Sequence, residues 1–175
     1  MAAQPHRFDP RVAVYPGSFD PLTNGHLDII ERSTRMFERV IVAVLVNDAK
    51  QPLFSLTERV AMAREALRGF KGAEVDTFDG LLVEYVARAG AGVVVRGLRA
   101  ISDFEYEYQM ALMNRRLNDR VETVFMMPAE QYVYISSRLV KEVCMLGGNV
   151  TGLVPDVVER RLVEKRATVA AESGE

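Results

Sequence analysis

Hydrophobic positions along the chain fall into five short apolar runs separated by segments of helical period. The runs Val12–Tyr15, Val40–Val46, Ala73–Phe78, Gly92–Arg96 and Glu122–Met127 are expected to be strands. Val40–Val46 and the triplet Val93-Val94-Val95 are continuously aliphatic, as in strands covered on both faces. The first intervening segment predicts a helix over His26–Phe37, with Leu27, Ile30 and Phe37 on one face and Asp28, Glu31 and Arg32 largely outside it. Ser55-x-x-Glu58 is a capping box that opens a helix to about Leu67, closed by Gly69 and Gly72. A short helix follows over Leu81–Ala89. Ser102-x-x-Glu105 offers a second capping box for a long helix to about Leu117. Pro128 stops the fifth strand. Helices over Ser137–Leu146 and Asp156–Arg166 complete the pattern, the latter with Pro155 at its entrance.

Strand alternating with helix implies parallel pairing and an α/β architecture. The expected fold is a Rossmann-like, doubly wound, five-stranded parallel sheet with helices on both faces. Its ligand crevice should open where the winding reverses, between the first and fourth strands. The expected organisation is a single domain over 11–167, a flexible N-terminal extension over 1–10 and a flexible tail over 168–175.

Composition narrows the classes. At 175 residues, 49% hydrophobic and 26% charged, the chain has the make-up of a globular protein with a sizeable core. A net charge of -2 argues against a dedicated nucleic-acid binder, so any phosphate site must be local. The single cysteine, Cys144, lies in an apolar helical pattern and is expected to be buried filler in a reducing compartment. No signal-peptide pattern or membrane-length apolar run is visible, so a cytoplasmic protein with no membrane partner is expected.

The chemistry concentrates in loops expected at one edge of the sheet. Tyr15 to His26 (Tyr-Pro-Gly-Ser-Phe-Asp-Pro-Leu-Thr-Asn-Gly-His) joins a buried strand to a helix, a geometry that aims backbone N–H groups and a helix dipole at an anion. It places the Ser18 hydroxyl, Gly25 and the His26 imidazole where a phosphate would lie. Thr23-x-Gly25-His26 is a signature of nucleotidyl transfer. The alternative for His26 is a helix-start histidine bound to its own loop. Arg96 and Arg99 follow the three valines at a strand end, with Gly97 between them allowing close backbone approach. Their planar forks suit phosphate oxygens, although pairing with Asp103 or Glu105 would also explain them. Lys50 lies just past the second strand on the same edge. Ser136 and Ser137 open a helix, where hydroxyls serve as caps or anion ligands, and Arg138 follows them. His6 carries no signal. No His/Cys cluster has metal-ligand spacing, so no metal held by protein side chains is expected.

Three blocks extend a resemblance over nearly the whole chain, from about Val12 to about Lys165. They are Tyr15–His26, Arg96–Glu107 (Arg-Gly-Leu-Arg-Ala-Ile-Ser-Asp-Phe-Glu-Tyr-Glu) and Tyr134–Val143 (Tyr-Ile-Ser-Ser-Arg-Leu-Val-Lys-Glu-Val). The chain resembles the bacterial phosphopantetheine adenylyltransferases. The first block marks the nucleotidyltransferase superfamily, and the second is more specific to this member. The resemblance implies that the adenylyl group of ATP passes to 4′-phosphopantetheine, giving dephospho-coenzyme A and pyrophosphate. It implies that Ser18 lies where the two substrates' phosphates meet, and that His26 touches ATP phosphate and steadies the transition state. Lys50, Arg96 and Leu82 would hold phosphopantetheine, with Lys50 and Arg99 also among the catalytic groups. Phe19, Gly97, Leu98, Arg99, Glu107 and the run Tyr132, Val133, Tyr134, Ile135, Ser136, Ser137, Arg138 would surround ATP. Magnesium accompanying ATP, a homohexamer and feedback binding of coenzyme A are further implications. Three positions depart from the common pattern. Ser18 stands for threonine, Thr23 for the first histidine of the superfamily's His-x-Gly-His, and Arg138 for a third serine.

A phosphate dianion needs no general base, so the expected mechanism is in-line attack without a covalent enzyme intermediate. The rivals are another small-molecule nucleotidyltransferase, with nicotinamide mononucleotide or an alcohol phosphate as acceptor, and a non-catalytic nucleotide sensor. A third reading, mainly an assembly subunit, rests on Phe104, Tyr106, Tyr108, Met110 and Met113 crowding one helix.

Overall fold

The computed structural model describes residues 8–46, 51–99 and 101–173. Five parallel strands form one sheet: β1 (Asp9–Gly17), β2 (Arg39–Leu45), β3 (Ala73–Phe78), β4 (Ala91–Gly97) and β5 (Glu122–Met126). Their order is β3-β2-β1-β4-β5. The chain winds outward from β1 to β3, then crosses back to place β4 on the other side of β1. The switch point is therefore the gap between β1 and β4, as the alternation predicts. The helices are α1 (Asn24–Met36), α2 (Leu56–Ala66), α3 (Leu82–Arg88), α4 (Ile101–Leu117), α5 (Ser137–Met145) and α6 (Asp156–Ser173).

The pleat divides the core. Ala13, Tyr15, Val40, Val42, Val44, Val93 and Val95 face one side, against Ile29 and Ile30 of α1, Met62 of α2, Val140 and Cys144 of α5, and Val158 and Leu162 of α6. Val14, Ile41, Ala43 and Val94 face the other, against Tyr85 and Val86 of α3. Both faces of β1, β2 and β4 are thus covered. Each fully buried valine contributes roughly 1.5–3 kcal/mol relative to exposure. Cys144 is a buried free thiol whose pKa burial raises, in keeping with its expected role as filler.

Local capping explains two boundaries. Ser55 caps α2 reciprocally with Glu58. Thr23 caps α1 in the same way, with His26 in the usual Glu position. Four expectations are corrected. Ser102 lies inside the first turn of α4, because the helix already begins at Ile101, so it is not the N-cap. β1 starts at Asp9, so two residues of the expected N-terminal extension belong to the sheet. α6 runs on to Ser173, seven residues past the expected end at Arg166, through a stretch containing three alanines, the strongest helix former. Asp28 and Arg32 are not merely outward. The Asp28 carboxylate accepts from Ala129 N–H (2.9 Å), and Arg32 donates to the Met127 carbonyl (2.6 Å), tying α1 to the loop after β5.

Candidate active site

The carboxyl ends of β1 and β4 open onto a cavity of about 450 Å³. Its lining brings together Ser18, Phe19, His26, Arg96, Gly97, Arg99, Glu107, Tyr132, Ile135, Ser136, Ser137 and Arg138. Sequence positions as distant as 18 and 138 converge because every loop following a parallel strand emerges at the same edge. The N-termini of α1 and α5 both border the cavity, so their unpaired N–H groups contribute positive potential there.

His26 is set by its own helix turn. Its Nδ1 accepts the backbone N–H of Thr23 at 3.0 Å and lies 3.0 Å from the Thr23 hydroxyl. A ring nitrogen that accepts an amide N–H carries no proton, so the neutral ring must bear its hydrogen on Nε2. Burial, and then the nearby Arg99 and Arg96, depress its pKa to about 4. The imidazole is therefore a neutral donor at physiological pH. Phe19 packs edge-on against it, with ring centroids 5.2 Å apart, and Tyr15 lies beyond. The histidine does bind its own loop, as the simpler alternative for it anticipates, but that contact uses Nδ1 alone.

Arg96 leaves the end of β4 and meets Glu107 of α4 through both carboxylate oxygens, at 2.6 and 2.5 Å. Its Nη1 also donates to the Pro16 carbonyl at 3.1 Å. Three of its five N–H groups are thereby used, and two remain for a ligand. Arg99 pairs with Asp103 at 3.1 Å and donates to the Ile135 carbonyl at 3.2 Å. The carboxylate partners raised as alternatives are thus half right: Asp103 does pair with Arg99, while Glu107 rather than Glu105 holds Arg96. Gly97 packs closely here, since a Cβ there would stand 2.7 Å from the Ile29 Cδ1 and would push that side-chain tip aside.

Ser136 is the N-cap of α5, accepting from Leu139 N–H at 3.1 Å, and Ser137 donates to the Pro21 carbonyl at 2.7 Å. The Ser18 side chain and Arg138 are exposed at the cavity. Leu98, Val133, Tyr134 and Leu82 do not line it. Leu82 packs instead with the core on the α3 face of the sheet. Lys50 and His6 lie outside the described residues.

Three polar residues of the cavity wall escape sequence reasoning. Asp20 is buried and accepts from Leu53 N–H (3.0 Å), Phe54 N–H (2.9 Å) and the Lys141 ammonium (2.5 Å). Arg59, only 3% exposed, donates to the carbonyls of Ser18, Leu45 and Phe54 at 2.7, 3.0 and 3.2 Å. The available signal for Arg59 was its place beside Val60 and Met62 on α2, a charge interrupting a buried face. Asp20 and Lys141 stand 121 residues apart, and no local pattern links them.

The arrangement can hold adjacent anions. It offers a neutral imidazole donor, two guanidinium groups with spare N–H groups, an exposed hydroxyl and two helix N-termini. Residues 14–143 match the cytidylyltransferase-like family. The chain is 54% identical over 155 residues to a phosphopantetheine adenylyltransferase of Caldanaerobacter subterraneus, covering 89% of this chain and 97% of that one. It is 58% identical over 156 residues to one from Alkalilimnicola ehrlichii, covering 88% and 90%. A third, from Syntrophus aciditrophicus, shares 56% identity over 155 residues, covering 89% and 94%. Among solved structures, a Vibrio parahaemolyticus protein provisionally assigned as a nicotinate-nucleotide adenylyltransferase superposes with a TM-score of 0.67 at 15% identity, covering 89% of this chain and 93% of its own, which is a likeness of fold.

Proposed function

The chain belongs to the phosphopantetheine adenylyltransferase family, and from that premise we propose that it transfers the adenylyl group of ATP to 4′-phosphopantetheine. The products are dephospho-coenzyme A and pyrophosphate, a step of coenzyme A synthesis. The observation that carries this reading is the Nε2–H form of a neutral His26 at the crevice between β1 and β4, flanked by Arg96 and Arg99.

A phosphate oxygen of phosphopantetheine attacks the α-phosphorus of ATP in line. The new P–O bond forms as the bond to the β-phosphate bridging oxygen breaks, and the electron pair leaves with pyrophosphate. The acceptor is already an anion, so no side chain removes a proton. The protein's task is to bring two anions together and stabilise charge on the α-phosphoryl oxygens. His26 donates its Nε2–H to one of those oxygens. Being neutral beforehand, it makes that contact without gaining or losing a proton. Ser18, at the rim, touches both substrates. Arg96 receives the phosphopantetheine phosphate on its two free N–H groups, and Lys50 assists from the loop after β2. Arg99 and the segment 132–138 hold the triphosphate and adenosine, with Phe19, Gly97, Leu98 and Glu107 around them. Leu82 is proposed for the pantetheine arm from the resemblance alone.

Magnesium would enter with ATP as part of the substrate. Asp20 and Glu107, the cavity carboxylates, are each engaged by a cation of the protein, so the triphosphate oxygens are its natural ligands. Assembly into a homohexamer is supported by α4, where Phe104, Tyr106, Tyr108, Met110, Leu112, Met113 and Leu117 are all exposed. A cytoplasmic location, with coenzyme A as a feedback ligand of the same cavity, accords with the lone reduced cysteine and the substrate. Among the described residues no helix is long and apolar enough to cross a membrane.

The deciding experiment is pyrophosphate release from ATP with phosphopantetheine, nicotinamide mononucleotide or glycerol phosphate as acceptor. Release with phosphopantetheine alone is expected. Release with another acceptor instead would reassign the substrate, and binding of ATP without any release would leave a nucleotide sensor.

A further inference from the structure

Arg59 is the one buried cation at this cavity that is held without a carboxylate among the described residues. Arg96, Arg99 and Lys141 each face a carboxylate. Arg59 has no carboxylate partner among the described residues, and its guanidinium is held by three backbone carbonyls. Burying an unneutralised cation is costly, and removing a positive charge from such a place would ordinarily be tolerated. A charge kept there adds to the field felt by any anion entering the cavity.

The three carbonyls belong to the ends of three different segments. Ser18 follows β1, Leu45 ends β2 and Phe54 precedes α2. One planar fork thus staples the loops that floor the site. Its shortest bond, 2.7 Å, is to Ser18. The next residue, Phe19, has φ of +45°, a left-handed conformation that costs a non-glycine residue roughly 1–2 kcal/mol. Something must hold that conformation, and the bond to the Ser18 carbonyl acts on the same peptide unit.

That peptide unit has a second end. In a planar trans peptide the C=O and N–H point in opposite directions. With the Ser18 carbonyl turned toward Arg59, the Phe19 N–H is turned away from it. No acceptor for that N–H is present among the described residues. Phe19 is one of the residues lining the cavity, and its ring contacts that of His26.

We infer that Arg59 is a positioning residue for adenylyl transfer: by gripping the Ser18 carbonyl it aims the Phe19 N–H at the reacting phosphate, where it acts alongside His26. The nature of that anion rests on the function proposed above. Arg59 itself touches no substrate. The geometry requires a fork that spans several carbonyls, so charge alone does not satisfy it.

The test compares Arg59→Met and Arg59→Lys with the unaltered enzyme. Far-UV circular dichroism and thermal melting report the fold. Steady-state kinetics report kcat and both KM values, and calorimetry reports ATP binding. A misaimed N–H at the transition state should lower kcat about 100-fold in Arg59→Met. The KM for phosphopantetheine should stay within about threefold, because that substrate does not depend on this donor for binding. Arg59→Lys keeps the charge without the fork, and should lose about tenfold in kcat. A folded Arg59→Met enzyme with kcat within twofold of the original would overturn the proposal. So would a full return of kcat in Arg59→Lys, which would reduce the role to charge. If Arg59→Met does not fold, Arg59→Lys carries the test, and failure of both to fold would make the residue structural and end the proposal. If the unaltered enzyme releases no pyrophosphate with phosphopantetheine, it is the acceptor assignment that fails. Positioning is then read from ATP affinity, expected to weaken about tenfold in Arg59→Met and unchanged if the inference is wrong.

Discussion

Arginines stand at both ends of the sheet, and they are used in opposite ways. At the amino ends of the strands, Arg11 pairs with Asp9 and Glu38, and Arg39 pairs with Glu74, all on open surface. Arg11 is 63% exposed, and its pairs neutralise one another in water. At the carboxyl ends, Arg59, Arg96 and Arg99 crowd a cavity, and Arg96 and Arg99 keep N–H groups in reserve. Parallel strands cause the difference. All following loops and helix N-termini gather at the carboxyl edge, so cations there share one concavity and reinforce one another. At the amino edge Arg11 and Arg39 border a more open hollow in which the carboxylates of Asp9 and Glu38 balance them. The same residue type therefore forms surface pairs at one end and lines a cavity at the other, and the strand direction decides which.

The strongest way to break this contrast is at Asp20, which anchors the carboxyl edge. Asp20→Ala strands the Lys141 ammonium and two amide N–H groups, and should cost about 3–5 kcal/mol of stability in urea denaturation. A loss no larger than that of a surface pair would show that the two ends are not different in kind. Next, His26→Ala should slow turnover about 100-fold, with an unaltered circular dichroism spectrum. Arg96→Ala should raise the KM for phosphopantetheine about tenfold, since a hydrogen bond to a charged group is worth about 1.5–3 kcal/mol. An unchanged KM there would return Arg96 to the status of a simple partner for Glu107.

A proton titration sharpens the picture further. In the unliganded protein His26 should stay neutral down to about pH 4, so its ring resonances should not shift between pH 5 and 8. Because the folded-state value lies below the ordinary 6.5, the stability this ring contributes is intact above pH 6.5. It is eroded as pH falls from 6.5 through about 4. At the opposite edge, Arg11→Ala should leave kcat and both KM values unchanged. A measurable effect on catalysis would overturn the division of labour between the two edges.

The central strands were legible because burial on both faces leaves an unbroken aliphatic signature, as at Val40–Val44. The Ser55–Glu58 cap was legible because its partners lie three residues apart. Ser102 shows the limit of the same pattern. Spacing fits a cap, but a cap also needs extended backbone, and α4 begins one residue earlier. The loops at the strand ends led to His26, Arg96 and Arg99 at the crevice, whereas Leu82, which the resemblance alone implied, packs on the α3 face. Asp20, Arg59 and Lys141 were missed because their meaning lies in neighbours 33 to 121 residues away, or in carbonyl groups that every residue possesses.

The Thr23–His26 cap has one consequence for anyone redesigning this scaffold. The heading of the imidazole is written into four consecutive residues, so it should survive exchange of the distant loops that shape the acceptor side. Acceptor preference could then be changed by loop grafting while the proton-bearing nitrogen keeps its aim.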